Sequence, residues 1–183
     1  MKKGVRKMLG LLAAIMVLMA TTAICVSATK PNISNTGDRW FTACLSYNLR
    51  SSASSSSSSV ESVGKSYNRK SYSSSYTSGT YAYSQSTWFR LLNSDQSTNG
   101  YARCDWICPR NACYKVTSSS GLNVRDNVNG NILFSVGSGT YFQVLAVMDS
   151  TSWCRIRVRT GSHEGDIGFV SYNYIAQVNN AGS

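Results

Sequence analysis

In the last third of the chain, apolar and polar residues alternate in short runs, each closed by turn chemistry. Residues 122–125 read Leu-Asn-Val-Arg, with Leu122 and Val124 pointing one way and Asn123 and Arg125 the other, the period of a half-buried strand. The alternation is strictest over 153–159. There Cys154, Ile156 and Val158 share one face, while Trp153, Arg155, Arg157 and Arg159 share the other. The same pattern predicts further strands over 114–117, 132–136, 141–148 and 166–170. Between them lie 127–131, 137–139, 149–152 and 160–165, rich in the Gly, Asn, Asp and Ser that turns use. No amphipathic helix interrupts the series. Short strands at this spacing argue for a small all-β barrel.

The first part is less regular. Residues 40–50 are apolar and aromatic enough for a strand, and 51–59 are serine broken only by Ala53, which alone reads as a flexible linker. Tyrosines then recur at 67, 72, 76, 81 and 83 among Ser, Thr and Gly, a composition of high β-propensity. Residues 88–92 form a firm strand, 93–99 a polar turn, and 100–103 resume extended structure. Cys108-Pro109-Arg110-Asn111-Ala112-Cys113 is a tight junction, because Pro109 has no N–H to continue a ladder.

The ends change the picture of where the protein works. Lys2, Lys3, Arg6 and Lys7 precede an apolar run over 8–19, and Val26-Ser27-Ala28 offers a small-residue cleavage pattern. Residues 1–28 therefore read as a signal peptide and the protein as exported. The rival is an uncleaved anchor, since 8–26 is nearly long enough to span a bilayer; only then would a membrane be a partner. Residues 29–40 read as a mobile leader and 179–183 as a tail. The chain carries 18 basic and 8 acidic residues; without the four basic residues of the signal it is about +6. That balance favours polyanionic surroundings, such as an anionic wall polymer or membrane surface, or serves simple solubility. Nucleic acid is a poor fit for an exported chain.

Three segments recur in order. Tyr47-Asn48-Leu49-Arg50 matches Leu122-Asn123-Val124-Arg125. Ser86-Thr87-Trp88-Phe89-Arg90-Leu91 matches Thr151-Ser152-Trp153-Cys154-Arg155-Ile156. Gly100-Tyr101-Ala102-Arg103-Cys104-Asp105-Trp106-Ile107 matches Gly168-Phe169-Val170-Ser171-Tyr172-Asn173-Tyr174-Ile175. Jointly they suggest an internal duplication.

On these residues the chain resembles the bacterial SH3-like domain. That family shows an opening Leu-Asn-Val-Arg, a strand after Gly-Thr, a Trp-x-x-Val/Ile strand and a closing Gly-Trp-Val-x-x-x-Tyr-Leu. Residues 114–178 carry all four, through Leu122–Arg125, Gly139-Thr140, Trp153 with Ile156, and Gly168 to Ile175 with Phe169 in place of Trp. Residues 41–108 carry a degenerate version, with Gly79-Thr80 in the middle and Tyr47 and Ala102 departing from the pattern. The serine run then becomes a loop inside a domain, and 109–113 the junction between two barrels. The resemblance implies small SH3-like barrels in tandem, in a secreted or wall-associated bacterial protein that binds peptidoglycan or its peptides. It also implies close terminal strands, so that Cys44 could pair with Cys104 or with Cys108, the first pairing leaving Cys108 for Cys113.

Candidate chemistry is mostly that of binding. Exposed aromatic residues suit peptides or sugars; in the second copy the candidates are Asn127, Tyr141, Trp153, Tyr172, Asn173 and Tyr174. In the first, Tyr81, Trp88, Tyr101 and Trp106 occupy related places. Arg155, Arg157 and Arg159 form a candidate cationic stripe for phosphate or carboxylate groups. Catalysis has little to use. A cysteine nucleophile needs an activating histidine, and His163, the one histidine, sits in a turn while Cys154 faces the core. The acids are scattered rather than paired across a cleft. The five cysteines beyond the signal are an odd number, and Cys44, Cys104, Cys108 and Cys113 allow three disulfide pairings if Cys154 is the free thiol. A zinc site from Cys104, Cys108 and Cys113 has unusual spacing, and in an oxidising compartment disulfides are the stronger reading. The expectation is therefore no enzyme, no metal and no cofactor. The protein would bind cell-wall peptidoglycan or wall peptides, with another exported protein as the alternative partner and a small secreted hydrolase third.

Overall fold

The computed structural model describes residues 29–33, 40–72 and 86–178. The expected signal peptide, the tail, most of the leader, Tyr76, Tyr81, Tyr83 and the Gly79-Thr80 step lie outside these residues. Fourteen strands follow one another, with two single-turn 3-10 segments at 110–112 and 172–174 and no α-helix among the described residues. The expected all-β class is what the structure has. Among the described residues no helix is long and apolar enough to cross a membrane.

Residues 113–178 form one seven-stranded antiparallel sheet. Its members are β8 (Cys113–Val116), β9 (Leu122–Arg125), β10 (Ile132–Val136), β11 (Tyr141–Val147), β12 (Trp153–Val158), β13 (Ile167–Ser171) and β14 (Ile175–Gln177). Their spatial order is β10-β9-β13-β12-β11-β8-β14. Val136 from one edge and Ile175 from the other join the same core as Val124, Phe142, Ile156 and Val170. The sheet must curl for both edges to reach one core. Curvature is concentrated in β11, where the register with β12 shifts between Val144 and Ala146, and between Ile132 and Phe134 of β10.

Residues 40–109 form two smaller sheets. β2 (Tyr47–Arg50), β3 (Ser59–Val63), β5 (Trp88–Leu92) and β6 (Asn99–Arg103) lie in the order β3-β2-β6-β5, and β1 (Trp40–Ala43), β4 (Asn68–Lys70) and β7 (Ile107–Pro109) in the order β4-β1-β7. The single apolar stretch over 40–50 is thus two strands. β1 pairs with β4 and β7 while β2 pairs with β3 and β6, so the chain turns between Ala43 and Tyr47 to change sheets. The serine run joins β2 to β3 as a closed loop, with Ser51 N–H donating to Ser58 O at 2.9 Å and Arg50 to Ser57 O at 2.9 Å. Phe41, Leu49, Val63, Leu91, Ala102 and Ile107 fill a separate core.

Strand pairing runs in parallel through the two regions. Arg50 faces Tyr101 as Arg125 faces Phe169, and Leu91 faces Gly100 as Ile156 faces Gly168. The Ser62 hydroxyl donates to Asn48 Oδ1 at 2.8 Å, as that of Ser135 does to Asn123 Oδ1 at 2.6 Å. A Cβ on Gly100 would lie 2.6 Å from Leu49 Cγ and 2.8 Å from Arg50 O; one on Gly168 would lie 2.8 Å from Arg125 O and collide with Val124. Both glycines let a neighbouring strand cross at close approach.

The two cores meet at the β7–β8 junction. Here the expected arginine stripe needs correcting. Arg155 is exposed and Arg157 half-buried, but Arg159 is fully buried. β12 ends at Val158, and the Arg159 side chain enters the seam, donating to Cys104 O at 2.8 Å, to Ile107 O, and to Gln143 Oε1 at 3.2 Å. A guanidinium taken out of water needs such acceptors, and main-chain carbonyls freed by the bend supply them. Of the leader, residues 29–33 lie against the second region: Pro31 is buried, Ile33 packs on its core, and Lys30 pairs with Asp149 at 2.8 Å.

Candidate functional sites

The opening strand β9 positions the first candidate site. Val124 is fully buried and anchors the strand, which leaves Asn123 and Arg125 on the outer side. Just before it, Gly121 adopts φ +81°, and a Cβ there would lie 2.5 Å from Val136 O, so only glycine makes this turn without strain. The turn folds Ser118 and Ser120 over the strand, their hydroxyls 3.0 Å apart. From β12, Trp153 lies opposite Ser171 of β13. The Ser171 hydroxyl accepts from Asn173 N–H at 3.4 Å, capping the 3-10 turn that carries Tyr174 out to 51% exposure.

These residues enclose an open groove of about 390 Å³. Leu122, Trp153 and Tyr174 give it apolar surface; Asn123, Arg125 and the hydroxyls of Ser118, Ser120, Ser135 and Ser171 give it polar groups. The Arg125 guanidinium donates to Gly130 O at 2.6 Å and lies 6.0 Å from the centre of the Trp153 ring. It is held in place yet keeps donors available, since guanidinium carries five. The size and mixed lining are those of a small-ligand or short-peptide site.

Of the residues expected to bind, Trp153 and Tyr174 lie in this groove. Asn173 is exposed on the same 3-10 turn, and Tyr172 packs against the core. Asn127 is exposed in the β9–β10 turn, its Oδ1 accepting from Val128 N–H at 2.8 Å. Tyr141 is buried in the seam, with its hydroxyl bonded to that of Ser66 and Lys65 Nζ 4.2 Å above its ring. In the first region Trp106 packs on the core, 5.4 Å from Trp88 and 5.6 Å from Tyr47. Tyr101 lies in β6 beneath Arg90, which also covers Tyr72 at 4.0 Å. Sequence reasoning missed Arg125 and the four serines. Arg125 carried a signal in its outward alternation; serines in so serine-rich a chain carried none.

The cysteines form the second site. All five described cysteines are buried, and no disulfide joins any of them. Cys44, Cys108 and Cys113 converge, each fully buried, with sulfur atoms all within 4.8 Å of one another. Cys104, expected in this set, belongs instead to the first core. Burial opposes ionisation of all three clustered thiols. At Cys44, hydrogen bonds from Cys108 and Cys113, with the nearby Arg159 guanidinium, overcome burial and pull the thiol well below its ordinary value. Cys108 and Cys113 are pushed well above theirs, the first chiefly by burial, the second chiefly by its hydrogen bonds to the other two sulfurs. The three sulfur atoms thus share one buried pocket, with the Arg159 guanidinium nearby.

The remaining titratable candidates stand apart. Burial raises Cys154 to about 12, and its thiol lies 3.8 Å from Val170 O. His163 is in the β12–β13 turn, its Nδ1 3.1 Å from Asp166 Oδ2 and its ring stacked on Phe134 at 3.9 Å.

No protein-family model matches the chain, and no curated protein matches it. Two solved structures from Trichomonas vaginalis, described as NlpC2 and NlpC1, align with it at 11% and 10% identity. The alignments cover 81% and 84% of this chain, 52% and 55% of those proteins, at TM-scores of 0.29 and 0.27. The chain thus spans about half the length of each.

Proposed function

We propose that the protein is an exported, non-enzymatic binding protein of two related SH3-like barrels that associates with cell-wall peptidoglycan or its peptides. The observation that carries this reading is the groove over β9, where Trp153 and Tyr174 lie beside an anchored Arg125. Flat apolar rings offer stacking surface to a sugar or peptide backbone, and a fixed guanidinium offers bidentate bonds to a carboxylate. Wall peptides and wall sugars present both chemistries. The basic balance of the chain favours approach to an anionic wall. The matched pairings of Arg50 with Tyr101 and Arg125 with Phe169 support the duplication. The test is retention of the folded protein on purified peptidoglycan; passage through unretained at low salt overturns the wall reading.

A second reading has its own observation. β10 is an edge strand, and Ile132 and Leu133 on it are 52% and 53% exposed. Unpaired edges with apolar side chains are templates for another chain. That reading, an exported protein-interaction module, predicts a cross-linked partner at β10 and loss of it with Leu133→Lys, while wall retention is unaffected.

A further inference from the structure

We propose that Cys44, Cys108 and Cys113 are a zinc site that clamps the seam between the two regions. Cys44 follows β1, Cys108 lies in β7, and Cys113 opens β8 after the 3-10 turn. The three come from different segments, are fully buried, and place their sulfur atoms within 4.8 Å of one another. Zinc–sulfur bonds of about 2.3 Å set neighbouring sulfur atoms about 3.8 Å apart around a tetrahedral ion, so a small contraction closes the site.

Disulfide bonding fits the same atoms less well. Thr42 is the direct partner of Cys108 across the β1–β7 ladder, so Cys44 is its diagonal neighbour. Diagonal neighbours are about 7–8 Å apart at Cα, beyond the usual disulfide span of about 4.4–6.8 Å. A bond between any two of the sulfurs also leaves the third as a buried odd thiol.

Charge selects the ion. Thiolate sulfur excludes the hard cations that take oxygen. Three thiolates around a divalent ion leave one negative charge, and the Arg159 guanidinium, buried in the same seam and held by Cys104 O and Ile107 O, supplies one positive charge. A monovalent soft ion would leave a net negative charge buried, which is costly. The divalent complex is neutral as a unit. Its effect is structural: it ties β1 and β7 of the first core to β8 of the second.

The test uses the purified full chain, reduced and metal-free. Titration with Co²⁺ is expected to give one equivalent of binding with near-ultraviolet sulfur-to-cobalt charge-transfer bands, displaced by Zn²⁺. Zn²⁺ should protect Cys44, Cys108 and Cys113 from alkylation and raise Tm. Cys113→Ser should lose the bands, whereas Cys104→Ser and Cys154→Ser should keep them. Absence of the bands in folded wild-type protein with reduced thiols overturns the proposal without reference to any variant. So do bands that persist in Cys44→Ser, or a disulfide within the trio in the protein as exported. Wall retention is read separately, so failure of the zinc site and failure of the wall reading are distinguishable.

Discussion

The two regions share a set of strand pairings but differ in what occupies the surface beside the opening strand. In the second region, Trp153 and the exposed Tyr174 border an open groove. At the position matching Tyr174, the first region has Trp106, which packs on its own core and meets Trp88 edge-on at 81°. One substitution of size and polarity turns an open surface into packing. A tyrosine keeps its polar tip wet and its ring available, whereas a tryptophan gains more by covering apolar neighbours. Among the described residues, a single Ser71–Leu91 bridge links the end of β4 to β5, where β11 and β12 pair over five positions. The first region also depends on the second at the seam, where Arg159 supplies the donor for Cys104 O and Ile107 O.

That dependence can be broken with Arg159→Met. Removing the guanidinium leaves Cys104 O and Ile107 O buried without their donor. The expected loss is about 2–6 kcal/mol, about 1–3 kcal/mol for each carbonyl left without its donor. Hydrogen exchange should show it falling more heavily on 104–109 than on 153–158. Arg155→Met, at an exposed position of β12, should change stability by less than about 0.5 kcal/mol. Equal losses from the two substitutions would mean that the seam contributes no coupling.

The glycines test how deep the likeness between the regions runs. Gly100→Ala and Gly168→Ala each force a Cβ against a strand carbonyl 2.8 Å away. Each should cost about 1–3 kcal/mol by overpacking, measured by urea denaturation. Similar losses support matched crossings. A loss at Gly168 alone would show that the first region yields where the second does not.

Much of this architecture was legible in the sequence because alternation reports which side of a strand is wet. Val124, Cys154, Ile156 and Val158 face the core as their spacing implies. Alternation fails where a second layer covers the outer face. Arg159 has the spacing of a surface stripe and Tyr141 that of an exposed aromatic, yet the first region buries both. The cysteine trio was hidden for a related reason. Cys44 is brought to Cys108 and Cys113 by sheet pairing across more than sixty positions, and no local spacing encodes that. The groove was half visible, through Trp153 and Tyr174, but its serines belong to a residue type too common here to single out.

Alkali offers a smaller contrast. Cys154 in the second core is held at about 12 and Cys104 in the first at about 11, both by burial, against an ordinary 9.0. A raised thiol pKa means the unfolded chain loses its proton first. The stabilising contribution is therefore complete below pH 9 and is lost as pH rises, through about 11 for Cys104 and about 12 for Cys154. The slope approaches about 1.4 kcal/mol per pH unit for each thiol inside its window. Cys154→Ala should flatten the limb between pH 11 and 12, and Cys104→Ala only the part below. Melting curves across pH 8–12 decide it; an unchanged upper limb in Cys154→Ala would show that the thiol is accessible.

The smallest effect in free energy bears most directly on function. If the groove binds and its counterpart only packs, Trp153→Ala and Trp88→Ala must separate. Trp153 is half-buried, with Arg125 near its face, so its loss should weaken peptidoglycan retention about tenfold, equivalent to about 1.4 kcal/mol, and leave Tm nearly unchanged. Trp88 meets Trp106 at 5.4 Å, and its loss should remove an aromatic pair worth about 0.5–1.5 kcal/mol while retention stays within twofold. Binding isotherms and denaturation on the same two variants read both quantities. If Trp88→Ala weakens retention as much as Trp153→Ala, the first region is a second binding site, and Trp106 must be displaced by the ligand to reveal it.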